Sequence, residues 1–325
     1  MPRAVTGHQF GPPETYKLEE FEPREPGPSE VRLAIKAIGI SYVDVLTALG
    51  KYQVSPPLPF IPGSECAGIV EAVGDGVSHI AVGDRVMGSS FGGIFAEANT
   101  FRASSFSNVP KALTIEQAAV FPPSYMTGYH ALVDRGRLRA GETLLVLGAA
   151  GATGVAAIQV GKHLGARVIA SASSRQKREL ALKAGADAAI DTRSPTWRDD
   201  LKAANGGKPI DVVFDPVGGD MTDPAFRSLG YDGRYLVVGF TGGISSLKTN
   251  LPLIKTASLI GVQLRVAMEQ EPDKANTAKA AIGEMAANGE LRPVIGKTYP
   301  LEDYVAAMND AFEGKTAGRI VMLVG

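Results

Sequence analysis

Cysteine is almost absent: Cys66 is the only one among 325 residues. A single cysteine cannot form an intramolecular disulfide, which excludes disulfide-stapled folds and indicates a reducing compartment. We therefore expect a cytoplasmic protein. Cys66 itself is expected to fill a small, buried, apolar position rather than to act as a reactive thiol.

Histidine is also scarce. The four histidines, at positions 8, 79, 130 and 163, show no ligand spacing with one another or with Cys66. A zinc site needs three or four Cys, His or carboxylate ligands that converge on one point. We therefore expect no metal site, and we expect each histidine to be solvated or hydrogen-bonded.

Excess charge and long apolar runs are missing too. The chain has 33 basic and 34 acidic residues and a formal net charge of -1, which favours neither nucleic acid nor an anionic membrane as a partner. No uncharged run approaches the roughly 20 residues of a membrane span, and the first residues lack the pattern of a secretory signal. With 45% hydrophobic residues, a chain of this length is expected to bury a large core and form two domains.

The most informative feature that is present is a glycine-rich turn after an apolar run. Residues 144–147 (LLVL) lead directly into Gly148, Gly151 and Gly154. An apolar run followed by small residues and a helix is typical of a strand–turn–helix that holds a pyrophosphate at the helix N-terminus. The spacing is GxxGxxG rather than GxGxxG, and a turn without a ligand is the alternative.

Around this turn, short apolar runs alternate with helical segments from residue 142 to residue 265. Six runs at this spacing predict an α/β fold with a doubly wound parallel sheet. In the helix after the turn, residues 157, 160, 161 and 164 share one face of small and apolar side chains, and Gly165 is suited to end it. The predicted strands are residues 144–147, 168–170, 188–190, 212–214, 235–238 and 259–264.

The first third of the chain has a different character, because it is rich in Pro and Gly and has few helical segments. Strand-like segments at 31–38 and 67–73 predict a mostly β lobe that ends near residues 121–123, before a helix at 124–134. Later, helices are predicted at 273–288 and 303–312, and a strand at 320–324 is expected to return to the first lobe. The expected domains are residues 1–123 with 266–325, and residues 124–265.

Six short motifs follow one another along the chain: residues 39–44 (GISYVD), 62–70 (PGSECAGIV), 82–86 (VGDRV), 149–154 (AAGATG), 215–219 (DPVGG) and 237–240 (VVGF). The first three resemble motifs of the medium-chain dehydrogenase/reductase superfamily. The last three are similar to its zinc-independent quinone oxidoreductase branch. The resemblance implies a Rossmann domain with a six-stranded parallel sheet, which binds the dinucleotide, and a mostly β, GroES-like catalytic domain.

The resemblance also bears on metal chemistry. In zinc-dependent relatives, zinc ligands stand at the positions of Ser41 and Ser64, and a further cysteine lies near Pro123. None of these ligands is present here, which implies a reaction without metal. Asp44 and Glu65 persist from the zinc-type pattern, and we expect them to act as local hydrogen-bonding anchors.

A reaction without metal constrains the acceptor. A metal would polarise a carbonyl, so without one the acceptor should already be electron-poor, such as a quinone or an alkene conjugated to a carbonyl. Hydroxyl groups would then stabilise the negative charge that develops on oxygen. The candidate catalytic residues, which lie in or beside the loop that resembles the family's nicotinamide pocket, are Ser41, Tyr42 and Tyr52.

Cofactor choice is expected to be read after the second strand of the sheet. An NAD-specific site has an acidic residue about 20 positions after the glycine turn, where this chain has Ala172. The donors Ser173, Arg175 and Lys177 follow and suit a 2′-phosphate, which predicts NADPH. The alternative is a solvated helix start. By the resemblance, the further cofactor contacts are Thr127, Ala150, Gly151, Ala152, Thr153, Val217, Phe240, Thr241 and Arg319.

These observations predict an NADPH-dependent reductase that passes a hydride to a small-molecule quinone or another activated, carbonyl-conjugated acceptor. Two alternatives stay open: a reductase of enoyl thioesters or enones, and a protein that binds NADPH without turnover. The apolar segment 258–264 would form an uncovered sheet edge, and pairing of two such edges across a two-fold axis predicts a homodimer.

Overall fold

The computed structural model describes residues 1–325, and the chain divides into two compact units. Unit 1 comprises Met1–Pro123 and Arg292–Gly325, and unit 2 comprises Ser124–Leu291. Among the helices, none combines the length and the apolar composition that a membrane span requires.

The strands of both units, in chain order, are β1 (Arg3–Thr6), β2 (Lys17–Glu20), β3 (Glu30–Ile40), β4 (Glu65–Val73), β5 (Arg85–Ser89), β6 (Ala98–Arg102), β7 (Phe106–Asn108), β8 (Thr143–Val146), β9 (Arg167–Ala172), β10 (Ala188–Asp191), β11 (Ile210–Asp215), β12 (Leu229–Val237), β13 (Ser258–Gly261), β14 (Ile295–Pro300) and β15 (Arg319–Leu323). The α-helices are α1 (Tyr42–Ala48), α2 (Ile115–Ala119), α3 (Pro122–Tyr129), α4 (Ala152–His163), α5 (Arg175–Lys183), α6 (Trp197–Ala204), α7 (Thr222–Arg227), α8 (Asn250–Lys255), α9 (Leu264–Gln270), α10 (Pro272–Ala287) and α11 (Tyr304–Glu313).

Unit 1 is mostly β, as predicted. Along the first half of β3, buried residues alternate with half-buried ones, which is the period-two pattern of a strand with one face on a core. The main sheet has seven strands in the order β14-β15-β3-β4-β5-β7, and β6 pairs with β3. The predicted last strand therefore does return to the first lobe, where β15 pairs antiparallel with β3. The core includes Leu33, Ile38 and Phe95.

Unit 2 contains the predicted parallel sheet. Its six strands lie in the order β10-β9-β8-β11-β12-β13, and every neighbouring pair is parallel. All four residues of β8 are buried, as expected of a central strand that helices cover on both faces. The core includes Leu145, Phe226 and Tyr235. The predicted α/β class, with a Rossmann-like sheet and a separate mostly β unit, is confirmed.

Two strand boundaries differ from the prediction by three residues or more. β12 begins at Leu229 rather than at residue 235, because Gly230, Gly233 and a positive φ of 56° at Asp232 interrupt its apolar pattern around a register shift. β13 ends at Gly261, whereas the predicted strand extended to residue 264. Leu264 instead begins α9, so the apolar run continues across a strand–helix junction that hydrophobicity cannot mark.

Residues 266–291 fall in unit 2, although the sequence analysis placed them with the catalytic domain. Helix α10 buries Ala278, Ile282 and Met285, and His163 on α4 bonds the carboxylate of Glu290 just beyond it. These local contacts attach the segment to the unit that precedes it in the chain. The roles of the two units in binding and catalysis remain predictions.

Candidate functional site

In the turn after β8, backbone atoms of unit 2 approach one another closely. Gly148 has a φ of 56°, a conformation that L side chains rarely adopt. A Cβ at Gly154 would lie 2.4 Å from the carbonyl oxygen of Gly148, so α4 approaches the turn more closely than any side chain permits. Two of the three predicted glycines, Gly148 and Gly154, are therefore required by the backbone itself.

Helix α4 begins at this turn with an open N-terminus. Its N-cap is Gly151, and no side chain caps the helix, so no side chain takes up the N–H groups of its first turn, which holds Ala152 and Thr153. Unpaired amides and the helix dipole at the end of a 12-residue helix suit a phosphate group. Ala149 and Ala150 in the same turn are buried and have small side chains, which leaves space for a ligand at this edge. The residues present fit a bound pyrophosphate.

The end of β9 places the predicted 2′-phosphate donors in one turn. Ala172 is buried at the end of the strand, Ser173 follows, and Ser174 caps α5 by accepting the Lys177 N–H at 3.2 Å. Burial lowers the pKa of the Lys177 ammonium. Arg175 is exposed and donates to Glu179 at 2.8 Å, so its charge is shared along the helix.

Arg178 is a further cation in this turn, and the sequence analysis gave it no structural role. Arg178 donates to the carbonyl oxygen of Ala172 and forms an ion pair with Asp191 at 2.9 Å. It therefore ties the end of β9 to the end of β10. The position of Arg178 one helical turn after Ser174 could have indicated this role. Its acidic partner, Asp191, lies on the next strand and could not be identified from the sequence.

The loop after β11 is fixed by the buried carboxylate of Asp215. This group accepts the N–H groups of Val217 and Gly218 at 2.8 and 2.9 Å and the hydroxyl of Tyr235 at 2.5 Å. Burial raises the pKa of the Tyr235 hydroxyl, and the Asp215 carboxylate adds to that effect, so it stays a donor. Val217 is thereby held at the carboxyl end of the sheet.

The loop after β12 joins that of β11. Gly242 N–H donates to the Val217 carbonyl at 2.7 Å, and the hydroxyl of Thr241 reaches the Pro216 carbonyl at 3.3 Å. Phe240 is 53% exposed beside them. The structure thus brings the predicted residues Val217, Phe240 and Thr241 together at the edge where parallel α/β sheets bind ligands. Thr127 lies half-buried on α3.

In unit 1, Ser41 is the N-cap of α1. Its hydroxyl and its backbone N–H both donate to the Asp44 carboxylate at 2.7 Å, and the Asp44 N–H donates back to the hydroxyl at 3.3 Å. Asp44 is buried and also hydrogen-bonded to Ser64. It is therefore a local hydrogen-bonding anchor, as expected, and Ser41 is its main partner.

The two candidate tyrosines differ in their surroundings. Tyr42 stacks on Phe312 of α11 with ring centroids 5.6 Å apart and an interplanar angle of 10°. Tyr52 lies beside Phe91 at 6.5 Å, and its hydroxyl has no hydrogen-bond partner in the protein. The hydroxyl of Tyr42 makes no hydrogen bond within the protein either, so of the three candidate catalytic residues only Ser41 is already engaged, with Asp44.

Arg319 lies at the start of β15, buried in unit 1. Its guanidinium pairs with the carboxylate of Glu65 and donates to the Ile40 carbonyl. The predicted cofactor contact therefore already binds a carboxylate, and its role towards a cofactor stays a prediction. Sequence reasoning could not find this pair, because its members are 254 positions apart.

The His, Cys, Asp and Glu side chains form no group of three that could hold a metal ion. Asp44 and Glu65 are the two acidic residues that the sequence analysis named as hydrogen-bonding anchors. Their partners are hydroxyl groups and a guanidinium, as described above.

Comparisons with known proteins agree with this geometry. The family described as alcohol dehydrogenase GroES-like domain matches residues 27–111, and the family described as zinc-binding dehydrogenase matches residues 152–279. The chain is 35% identical over 307 residues to quinone oxidoreductase-like protein 2 of Mus musculus, which covers 94% of this chain and 88% of the mouse protein.

Solved structures show the same likeness over nearly the whole chain. A probable oxidoreductase from Mycobacterium abscessus superimposes with a TM-score of 0.91 at 35% identity, covering 99% of this chain and 98% of that one. Escherichia coli quinone oxidoreductase complexed with NADPH gives 0.88 at 30% identity, covering 99% and 100%. With its nucleotide-type turn, its two units and these relatives, the chain belongs to the quinone oxidoreductase branch of the medium-chain dehydrogenase/reductase superfamily.

Proposed function

We propose that the protein is an NADPH-dependent reductase that transfers a hydride to a quinone or another carbonyl-conjugated acceptor without a metal ion. The observation that carries this proposal is the carboxyl edge of the unit 2 sheet. There the uncapped N-terminus of α4 and the cationic first turn of α5 follow neighbouring strands, β8 and β9. A dinucleotide with a 2′-phosphate matches both features.

Each part of the cofactor would have its own residues. The amides of Ala152 and Thr153 would hold the pyrophosphate beside Gly151, whose own N–H donates to the Gly148 carbonyl at 2.9 Å, and Ser173 and Lys177 would bind the 2′-phosphate. When bound, NADPH supplies a hydride. The Escherichia coli relative, which is complexed with NADPH, supports this choice.

The acceptor would be bound by hydroxyl groups of unit 1. The uncommitted hydroxyl of Tyr52 is suited to donate to the oxygen on which negative charge develops. Asp44 and Glu65 are already engaged with Ser41, Ser64 and Arg319, so we propose that these side chains stabilise one another instead of a metal.

We further propose that the protein forms a homodimer through β13. This strand lies at one end of the sheet, and Leu259 on it is 49% exposed. The helices directly before and after β13 in the chain also expose large apolar side chains. Contact of these side chains with water is unfavourable, so their burial against a second copy would be favourable. These side chains are Leu253 and Ile254 on α8 and Val266 and Met268 on α9.

Steady-state assays of NADPH oxidation with a panel of quinones and enones test the proposal. We expect turnover that persists in a chelator, and metal analysis should find well below one zinc per chain. Tyr52→Phe should lower kcat about 10²-fold if Tyr52 is the main oxyanion donor, with little change in the Kd for NADPH.

The matched control is Tyr231→Phe, since Tyr231 is 85% exposed on β12 of unit 2. It should keep the activity of the original protein. Stoichiometric zinc would contradict the metal-free reaction, and equal kcat values for both variants would remove Tyr52 from the site. No oxidation of NADPH with any acceptor would support the binding protein instead.

A further inference from the structure

Unit 2 contains a groove between α6 and α7, away from the glycine-rich turn. Both helices bury side chains in the same core, so they cover the same face of the parallel sheet. However, α6 packs on β10, whereas α7 packs on β11 and β12, and the space between the two helices has a volume of about 800 Å³. We call this space the α6–α7 groove. Its volume lies within the range of small-molecule sites, roughly 300–1,000 Å³.

Each wall of the groove is one side of a helix. The lining residues on α6 are Trp197, Arg198, Leu201 and Lys202. The first of them is followed at one, four and five positions by the others, so all four share one helix face. The opposite wall is formed by Met221, Pro224 and Arg227, at and within α7.

The two loops that flank α6 line the ends of the groove. Residues 192–196 follow the carboxyl end of β10, and residues 207–210 lead into the start of β11. Because all strands of this sheet are parallel, the two loops lie at opposite edges of the sheet. The groove is therefore bounded at both ends, which suits a small molecule better than a peptide chain that would have to continue past the loops.

The floor of the groove is apolar. Trp197 and Leu201 are 5% and 2% exposed and belong to the core of unit 2. The indole N–H of Trp197 donates to the Ser171 hydroxyl at 3.0 Å, so the one polar atom of this ring is already engaged. Met221 and Pro224 are half-buried on the other side. A ligand would therefore meet this floor with an apolar surface.

The rim of the groove carries positive charge that the protein does not neutralise. Arg198, Lys202 and Lys208 are exposed and form no ion pair within the protein. Asp199 is the one acidic residue in the lining. Three cations against one carboxylate leave an excess of two positive charges along the groove.

The position of Arg198 is unfavourable in the free protein. Arg198 lies in the first turn of α6, where the helix dipole disfavours a cation. Lys202 follows four residues later on the same face, so the two like charges repel each other. Across the groove, Arg227 is neutralised by Asp223 at 2.6 Å. An anion between the two walls would offset both unfavourable effects.

We propose that the α6–α7 groove binds a small organic dianion with an apolar body, such as a phosphate monoester or a dicarboxylate. Its anionic groups would accept charge-assisted hydrogen bonds from Arg198, Lys202 and Lys208, and its body would pack on Trp197. A ligand charge of minus two matches the excess on the rim. None of the lining residues is a predicted cofactor contact, so this site is separate from the proposed reductase site.

Isothermal titration calorimetry tests the site in protein saturated with NADPH, which keeps the probes out of the cofactor site. The probes are phenyl phosphate and phenylsuccinate, which share an aromatic body and differ in their anionic groups. We expect one or both to bind at one site per chain, more tightly than inorganic phosphate or benzyl alcohol, which each offer half of the chemistry.

Three results of this titration would overturn the proposal. The first is no saturable binding of either aromatic dianion. The second is equal affinity for phenyl phosphate and inorganic phosphate, which would indicate attraction of ions alone. The third is tighter binding of a tetraglutamate peptide than of both dianions, which would indicate a docking surface for an acidic chain.

Charge reversal locates the bound probe. Lys202→Glu should weaken binding of the better probe by about 10-fold or more, because it removes a charge-assisted hydrogen bond and adds a repulsive charge. Lys183→Glu is the matched control, since Lys183 is also an exposed lysine in the last turn of a unit 2 helix. It should bind the probe like the original protein.

Arg198→Glu should weaken binding to a similar extent, and it decides the test if Lys202→Glu does not fold. Unchanged affinity in a folded Lys202→Glu or Arg198→Glu protein would overturn the proposal. Equal weakening by Lys183→Glu would also overturn it, because the probe would then respond to the charge of the whole surface.

Trp197 reports occupancy of the groove directly, because it is the only tryptophan of the chain. In protein without NADPH, whose absorption overlaps tryptophan emission, the better probe should change this emission with the Kd found by calorimetry. Lys202→Glu should shift the curve to higher probe concentrations. Binding heat without any change in emission would place the probe elsewhere and overturn the proposal. Neither readout needs turnover, so the outcome does not depend on whether the reductase activity is found.

Discussion

Lys177 is a cation at the start of a helix, where the helix dipole disfavours positive charge. Burial adds to this effect and lowers the pKa of its ammonium group. The dipole and the burial both disfavour the charged ammonium group of Lys177. A bound phosphate would offset both effects, so this position suits an anionic ligand.

We therefore expect Lys177→Ala to weaken NADPH binding about 10- to 150-fold and to leave NADH binding nearly unchanged, since only NADPH carries a 2′-phosphate. Fluorescence titration with both nucleotides measures the effect. Lys183→Ala is the control, because Lys183 lies exposed in the last turn of the same helix. Equal weakening of both nucleotides by Lys177→Ala would assign the segment to a solvated helix start.

Ala172→Asp is the complementary change at the end of β9. A carboxylate there would repel the 2′-phosphate and could accept the ribose hydroxyls of NADH. We expect NADPH affinity to fall and NADH affinity to rise modestly in the same titration. A variant with unchanged preference would show that the ribose lies elsewhere.

Single residues also show where sequence reasoning stops. Ser41 was chosen for its hydroxyl, and the structure keeps that hydroxyl but directs it at Asp44, three residues on. The capping box could have been noticed from this spacing. The Arg319–Glu65 pair could not, because its members meet only after β15 has joined β3 and β4 in one sheet.

At the scale of elements, the apolar runs located all six strands of the parallel sheet, because buried strands need continuous apolar side chains. Their ends were less well predicted. The glycines in the first half of β12 break the pattern within a real strand, and the apolar residues after Gly261 continue it into a helix. Pairing with a neighbour, rather than composition, decides where these strands begin and end.

One ion pair links two strands of the unit 2 sheet near the start of β8. Glu142 precedes β8, and Arg234 lies on β12, with β11 between the two strands. The guanidinium donates to both carboxylate oxygens, at 3.0 and 2.5 Å, and both side chains are less than one-fifth exposed. Burial alone would raise the pKa of Glu142, but the hydrogen bonds from Arg234 and the Arg139 N–H outweigh it and lower the pKa.

We expect Glu142→Gln to reduce the free energy of unfolding at pH 7 by about 2 kcal/mol, measured by urea denaturation. Because the folded pKa is lowered, this stabilisation is present above the unfolded value of about 4.3 and is lost as pH falls through the folded pKa. The difference between the variant and the original protein should therefore shrink in acid.

The control is Glu271→Gln, which removes an exposed pair with Lys274 and should change stability by less than about 0.5 kcal/mol. If the two variants were equally stable, the pair across β11 would be no more than a surface contact.

At the scale of the whole molecule, the exposed apolar residues around β13 predict self-association. We expect sedimentation to give a dimer at micromolar concentration, and Leu253→Asp combined with Leu259→Lys to give a monomer. Val82→Asp changes an exposed apolar residue of unit 1 and should leave the dimer intact. A monomeric original protein would refute the dimer.

The place of β15 in the sheet of unit 1 has a consequence for biosynthesis. Residues 37–40 of β3 pair with β15, which the ribosome makes only after all of unit 2. Until then this part of β3 is an open edge that ends in buried apolar residues, and open edges recruit other chains. Unit 2 is contiguous and can fold as soon as residue 291 has emerged. We therefore expect chains that stop before β14 to contain a folded unit 2 and to aggregate through unit 1, whose completion is the last event of the protein's synthesis.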